Sequence, residues 1–305
     1  MTLAVTGATG FIGSVLLKRL ASQGFQIRAL YRPSFTPSPN QTDTVQWLTG
    51  DLEDMHSLRT LVAGVDAIIH CAGTVRGSAL EHFNEANVAG VTRLAEAATE
   101  LKVPRFLLIS SLAAREPSLS DYAMSKKMGE DALLEYQGNL SCDILRPPAV
   151  YGPGDREMRP LLQLINRGLV PVVGAKEGRF SLLYVDDLAD AVSCLLRSES
   201  AHKGRCFELH DGHPDGYNWQ QIAAIAGHLN GKSPYRLTIP KPLLQMIALC
   251  NLCLSRLLGY SPMLTPGKVR EIFHPNWICD NTTITREVGW QPRVQFNDGM
   301  QHLFP

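Results

Sequence analysis

The 305-residue sequence has no excess of either charge. Its 29 Lys and Arg are matched by 29 Asp and Glu, so the formal net charge is zero. A nucleic-acid partner asks for a basic surplus, and none is expected here. The sequence also lacks a run of about 20 apolar residues that would span a bilayer. Its most apolar stretch, Leu243 to Leu258, is interrupted by Gln245, Asn251, Ser255 and Arg256. That stretch reads as a core or substrate-lid helix, with a membrane-surface or dimer face as the alternative. No signal peptide is expected, because the apolar stretch Leu3 to Val5 is short and glycines follow at once. The seven cysteines are odd in number and scattered, which argues against a disulfide framework and for reduced thiols in the cytoplasm. Cys250 and Cys253 form one C-x-x-C without a second pair, so two packed thiols are expected rather than a metal site. His210 and His213, in HDGHPD, read as a turn. Nothing repeats internally, and the Pro/Ser-rich stretch from Pro33 to Asn40 reads as a mobile loop.

What is present is an ordinary globular composition, 45% apolar and 19% charged, enough to bury a sizeable core. The chain is organised around MTLAVTGATGFIG. Leu3 to Val5 reads as a buried strand, Thr6-Gly7 as a turn, and Gly10 and Gly13 open an apolar helix through Leu20. Gly7 allows the tight turn, Gly10 lets backbone amides approach a pyrophosphate, and Gly13 lets helix and strand pack closely. The helix N-terminus offers unpaired N–H donors and a positive dipole end to phosphate. With a strand before and a helix after, the glycine spacing points to a bound dinucleotide.

Downstream, strands alternate with helices: Phe25 to Tyr31, Val45 to Leu48, Val65 to Cys71 and Phe106 to Ile109 read as strands, and Phe83 to Thr99 as a helix. That alternation implies an α/β protein with a Rossmann-type doubly wound parallel sheet. Ligands of such sheets lie beyond the carboxyl ends of the strands. Gly7, Asp51, Ala72, Ser111 and Pro147 all fall at such ends. Asp51 reads either as an adenine contact or as the cap of the helix beginning near Met55. The second strand ends in Tyr31-Arg32-Pro33 with no acid. An acid there would take the ribose 2′-hydroxyl of NAD, and an arginine suits the 2′-phosphate, so NADP(H) is favoured over NAD(H).

Ser111 is followed by Tyr122 and Lys126 in SSLAAREPSLSDYAMSKKMGEDALL. Tyr122 and Lys126, four apart, share one helix face. An ammonium beside the phenol is expected to lower its pKa, so that Tyr122 exchanges a proton with a substrate oxygen near neutral pH. A serine hydroxyl from the neighbouring strand end can hold the same oxygen.

These motifs resemble the extended short-chain dehydrogenase/reductases, the NAD-dependent epimerase/dehydratase family. TGATGFIG, Gly50-Asp51-Leu52, Ser110-Ser111, YAMSK from Tyr122 to Lys126 and LRPPAVYGPGD from Leu145 to Asp155 stand in the family's order. The resemblance implies Tyr122 as general acid/base, Lys126 on the nicotinamide ribose and Ser111, rather than Ser110, on the substrate oxygen. It implies a cofactor bed of Gly7, Thr9, Gly10, Phe11, Ile12 and Gly13. Arg32, Asp51, Leu52, Cys71, Ala72, Gly73 and Asn87 would continue it, with Pro147, Ala149 and Val150 beside the nicotinamide. Tyr184-Val185-Asp186-Asp187 looks structural.

The carboxyl-terminal third, with HPNWICDNTTITREVGWQP from His274 to Pro292, is similar to 3β-hydroxysteroid dehydrogenases and dihydroflavonol reductases. Tyr-Gly soon after the catalytic serine and an acidic pair beside it, marks of sugar epimerases and dehydratases, are missing. The implied activity is hydride transfer between a nicotinamide and a secondary alcohol or ketone of a bulky apolar substrate. A nucleotide-sugar epimerase or dehydratase, served by Arg159, Arg167 and Arg179, is one alternative, and a non-catalytic dinucleotide sensor is another. The expected organisation is a nucleotide-binding part at 1–150 plus about 180–198, and a substrate lobe, small and α+β, at 151–179 and 205–305. Trp277 and Trp290 are expected to pack the lobe. The expected assembly is a monomer or homodimer that binds a small-molecule substrate.

Overall fold

The computed structural model describes residues 1–34, 44–198 and 204–304. Most of the Pro/Ser-rich loop therefore lies outside the described residues. The first half builds β1 (Thr2–Thr6), α1 (Phe11–Ser22), β2 (Gln26–Tyr31), β3 (Val45–Thr49), α2 (Met55–Val62), β4 (Ala67–His70), α3 (Leu80–Asn84) and α4 (Gly90–Glu100). It continues through β5 (Arg105–Ile109), α5 (Asp121–Leu134), β6 (Ser141–Arg146) and β7 (Ala149–Tyr151). The second half adds α6 (Arg159–Asn166), β8 (Leu169–Val172), β9 (Arg179–Phe180), β10 (Leu182–Tyr184), α7 (Val185–Arg197), β11 (Arg205–Glu208), α8 (Trp219–Asn230) and β12 (Tyr235–Thr238). It ends in α9 (Lys241–Leu258), α10 (Pro266–Ile272), β13 (Asn276–Trp277), α11 (Thr282–Val288) and α12 (Phe296–Leu303).

Seven parallel strands form the main sheet in the order β11-β6-β5-β4-β1-β2-β3. Their side chains alternate between two buried faces, which is why the strands read as nearly continuous apolar runs. Leu3, Val5, Ile27, Ile69 and Leu107 face α1 and α7. Ala4, Leu30, Ile68, Phe106 and Ile144 face α2, α4 and α5. Between β1 and β4 the chain order reverses direction along the sheet, the switch point at which such folds bind ligands.

Several details differ from expectation. Arg205–Glu208 pairs with β6 at the sheet edge, so by hydrogen bonding it belongs with the nucleotide-binding layer rather than with the lobe. The strand near residue 180 does not return to this sheet, since β10 pairs with β7 in a separate two-stranded ribbon. Its following helix does return, packing Leu188, Val192 and Leu195 with Leu16, Leu17 and Leu20 of α1. Trp290 joins that same core rather than the lobe, and its Nε1 donates to the Asp187 carbonyl at 3.1 Å. Asp187 is structural, as expected: its carboxylate accepts from the Arg293 and Val294 amides at 3.0 and 2.9 Å. The lobe has its own core around Tyr151, Leu162, Tyr184, Tyr217, Phe296 and Met300.

The largest departure is α9. It is not a core helix: it touches the protein through Leu244, Ala248 and Ser255 and leaves most of its apolar side chains exposed. Cys250 and Cys253 are exposed as well, so they are not the packed pair expected.

Candidate active site

The glycines after β1 have the geometry their spacing implies. Gly7 sits at φ +69, and a Cβ there would strike the backbone of Cys71 and Ala72 where β4 ends. Only glycine suits both the conformation and the approach. A Cβ on Gly13 would run into the Gly7 carbonyl, so α1 rides directly on the turn. Gly10 caps α1 without a side-chain hydrogen bond, and the first turn carries no acid. The leading amides of α1 are thus open to an anion. Thr9 and Gly10 are exposed at the turn, and Phe11 and Ile12 are half-buried behind it.

Arg32 is exposed directly after β2. Asp51 follows β3, and its Oδ1 accepts from the Glu53 amide at 3.1 Å. Asp51 is not the cap of α2. Asp54 fills that role, accepting from the His56 and Ser57 amides at 3.0 and 3.2 Å. Leu52 packs beside Gly90 of α4.

After β4, Cys71, Ala72 and Gly73 leave little side-chain bulk. Burial pushes the Cys71 thiol up to about 12, so it is a chemically quiet wall. A Cβ on Gly73 would meet the Asn87 amide and the Lys126 ammonium. Asn87 lies in a single π-helical turn, Glu85–Ala89, between α3 and α4. Its Oδ1 accepts from the Thr74 amide at 3.0 Å, while Nδ2 donates to the Thr74 carbonyl and Ser125 Oγ at 3.1 and 2.9 Å. Asn87 therefore fixes the loop after β4 to α5 and acts on the bed through that loop. Pro147, buried, accepts from the Leu112 amide at 2.8 Å through its carbonyl, and Ala149 and Val150 follow at the surface of the cleft.

Ser110 and Ser111 are separated by what they face. Ser110 Oγ donates to the buried Glu130 carboxylate at 2.5 Å, and Arg146 Nε donates to the same group at 2.9 Å. Ser110 is thereby committed to the interior. Ser111 Oγ accepts from the Ala113 amide at 3.2 Å and is near enough to the Tyr122 phenol to oppose the rise in its pKa. The Tyr122 ring meets Phe83 edge-on with centroids 6.0 Å apart.

Lys126 is buried, with its Nζ 3.4 Å from the Ile109 carbonyl. Among the described residues that long contact is its one hydrogen bond, leaving donors of a three-donor ammonium free. Burial lowers it to about 8, against the pull of Cys71 and Glu130. The expected arrangement, with Lys126 lowering the phenol's pKa, is not what the structure holds. Burial raises the Tyr122 pKa, and the groups that oppose the rise are Ser111 and Lys268. Lys268 of α10 stands 5.6 Å from the Tyr122 ring centroid. Burial pulls its own pKa down, but Glu271, 2.6 Å away, outweighs that and holds it above the ordinary lysine value. Glu271 also accepts from Ser120, the cap of the helix carrying Tyr122. Sequence reasoning missed this Lys268–Glu271–Ser120 link, because nothing in local spacing connects residues some 150 positions apart.

Among the described residues no cluster of His, Cys, Asp and Glu could hold a metal, and His210 Nδ1 accepts from the Gly212 amide within a turn. Arg159 and Arg167 flank α6 about 12 Å apart along its axis. Arg179 is held by the Asp215 and Gly216 carbonyls at 2.9 and 3.3 Å.

A glycine turn on a helix N-terminus, at the switch point of a parallel sheet and beside a Ser-Tyr-Lys set, defines a dinucleotide-dependent enzyme of the extended short-chain dehydrogenase/reductase type. The model of the NAD-dependent epimerase/dehydratase family matches residues 3–209, and the chain belongs to that family. It is 38% identical to ceramide reductase of Caulobacter vibrioides, over 98% of this chain and 92% of that protein. It is 27% identical to 3 beta-hydroxysteroid dehydrogenase/Delta 5→4-isomerase of Mycobacterium tuberculosis, over 86% of each. The fold superposes on UDP-glucuronic acid 4-epimerase of Bacillus cereus, solved with UDP-glucuronic acid and NAD, with a TM-score of 0.76. That alignment covers 99% of this chain and 97% of the epimerase at 19% identity.

Proposed function

We propose that the chain is a reductase that converts a ketone on a bulky, apolar, lipid-like substrate to a secondary alcohol, using NADP(H) in preference to NAD(H). The observation that carries the reading is an under-bonded buried ammonium, Lys126, against the end of β5 and one turn along α5 from Tyr122. The site fits a nicotinamide dinucleotide: the glycine cradle admits backbone-close phosphate, and the free donors of Lys126 suit ribose hydroxyls. Bound there, the nicotinamide supplies the hydride. Ser111 and Tyr122 hold the substrate carbonyl oxygen, and Tyr122 passes its proton to that oxygen as the alkoxide forms. The raised Tyr122 pKa keeps the phenol protonated at neutral pH, which suits the reductive direction. Hydrogen bonding with Ser111 and the charge on Lys268 stabilise the phenolate left behind.

The reductase relative named for a lipid, ceramide, supports an apolar substrate, whose remote binding energy would orient the reacting carbon. Arg32, without an acid at the end of β2, supports NADP(H), and the free cysteines suit a cytoplasmic compartment. Arg179 is already held by the Asp215 and Gly216 carbonyls, which counts against its serving a sugar diphosphate. Titration with NADPH and NADH, followed by nicotinamide fluorescence, is the first test. Tighter NADPH binding that falls about tenfold in Arg32→Ala supports the cofactor reading; preference for NADH overturns it. Tyr122→Phe should lose at least about a hundredfold in kcat on a ceramide-type ketone while still binding cofactor. Unchanged function in that variant would identify a sensor instead.

A further inference from the structure

We propose that α9 docks the protein on an anionic phospholipid bilayer, lying in the interface with its outer apolar face among the headgroups and upper acyl chains. Met246, Leu249, Leu254, Leu257 and Leu258 are between 48% and 83% exposed, and Tyr235 of the preceding strand is 69% exposed. Water-facing leucines at this density form a patch of the kind soluble monomers seldom expose without a use. The opposite stripe of the helix, Leu244, Ala248 and Ser255, is seated on the protein, where Leu244 and Ala248 pack with Val269 of α10. Asn251 Nδ2 adds a 2.8 Å bond to the Leu264 carbonyl. A helix tied down along one side lies on a membrane rather than across it.

Charge identifies the partner. The 55 residues from Gly216 to Arg270 contain no Asp or Glu, in a chain whose totals balance, but carry six Lys and Arg. Lys268 and Arg270 turn toward the site region. Lys232, Arg236, Lys241 and Arg256 form no ion pair among the described residues. Arg256 lies on α9 itself, Lys241 opens it with its Nζ 5.6 Å from the Phe273 ring centroid, and Arg236 stands in the strand just before. Basic residues beside an apolar face match the negative surface of an anionic leaflet. A second copy of the chain fits poorly, because a two-fold interface would set these same cations against each other with no acid to pair them.

Docking would also set the bilayer one helix away from the catalytic tyrosine. α9 packs on α10, and α10 presents Lys268 to Tyr122. Substrate arrival from the lipid phase rests on the lipid-ketone reading above; docking itself does not.

The test is sedimentation of the full chain, without substrate or cofactor, with vesicles of phosphatidylcholine alone or mixed with phosphatidylglycerol. Binding is expected to the mixed vesicles and to weaken as salt is added. Reversing charge in Arg236→Glu/Arg256→Glu should lower that binding by at least about tenfold. Met246→Glu/Leu257→Glu should abolish it while leaving NADPH titration and circular dichroism unchanged, because both side chains already face water. Failure of the full chain to bind mixed vesicles, or full binding by Met246→Glu/Leu257→Glu, overturns the proposal. A dimer seen by light scattering that this variant splits, with no lipid binding, would assign the face to a second copy. The readout needs no turnover, so inactivity on lipid ketones would overturn the substrate reading and leave docking standing.

Discussion

Lys126 shows what a binding site costs a fold. An ammonium enclosed with one long hydrogen bond is destabilising by itself. Its folded pKa, about 8, lies below the ordinary 10.5, so the unfolded chain holds the extra proton between those values. Stability therefore rises with pH across that window, and the cost is fully present below pH 8. Lys126→Met should raise the unfolding free energy at pH 7 by on the order of 3 kcal/mol in denaturant titrations while abolishing turnover. His70 is a second buried base, held down to about 3 by burial and by Lys126. Its contribution is complete above pH 6.5 and is lost as pH falls from there toward 3, so acid unfolding should begin in that range. His70→Gln should shift the acid midpoint down.

Lys268 faces the Tyr122 ring, 5.6 Å from its centroid, and is expected to act through the phenol. Lys268→Met removes a charge that opposes the rise in the Tyr122 pKa. The alkaline limb of ketone reduction should then move to higher pH, and the optimum of alcohol oxidation should move up with it. Lys268→Arg should restore both profiles, an outcome that a purely structural role for Lys268 would not produce.

Among the elements, the π-helical turn at Glu85–Ala89 does work that a regular helix would not. It widens the chain locally and directs the Asn87 side chain at the loop after β4. α5 must then come close, and Gly129 makes that possible, since a Cβ there would meet the Asn87 carbonyl. Gly129→Ala should cost about 1–3 kcal/mol through overpacking. It should weaken cofactor binding more than the mild substitution suggests, because Thr74, Asn87 and Ser125 shift together. Nicotinamide fluorescence titration checks this. In α9 the buried stripe recurs at Leu244, Ala248 and Ser255, and the remaining positions are free to be apolar for another purpose.

For the whole molecule, the tie between α7, packed on the sheet, and the second core around Tyr151 and Phe296 is expected to set substrate binding. Asp187 is that tie, with two backbone amides of the carboxyl-terminal region on one buried carboxylate. Asp187→Ala strands both donors and should lower stability by about 1–3 kcal/mol. NADPH affinity should hold, because the glycine cradle and Lys126 lie on the sheet side, while KM for substrate rises. An equal loss of both would show that the lobe also shapes the cofactor bed.

Sequence alone determined the nucleotide-binding half, because its signals are local. Alternating apolar strands, Gly7 at a turn that needs positive φ, and Tyr122 four residues before Lys126 each depend on near neighbours. The doubly wound sheet and the strand-end placement of Asp51, Ala72, Ser111 and Pro147 follow from that alternation. Burial and long-range contact belong to tertiary structure alone. Leu243 to Leu258 has the composition of a core helix, and only the packing of α10 decides that one stripe is covered and the rest is not. Which lysine faces the Tyr122 ring is settled likewise, by α10 folding back across the chain to bring Lys268 there. Charge interactions depend on distance and enclosure, and neither is written in the spacing of residues along the chain.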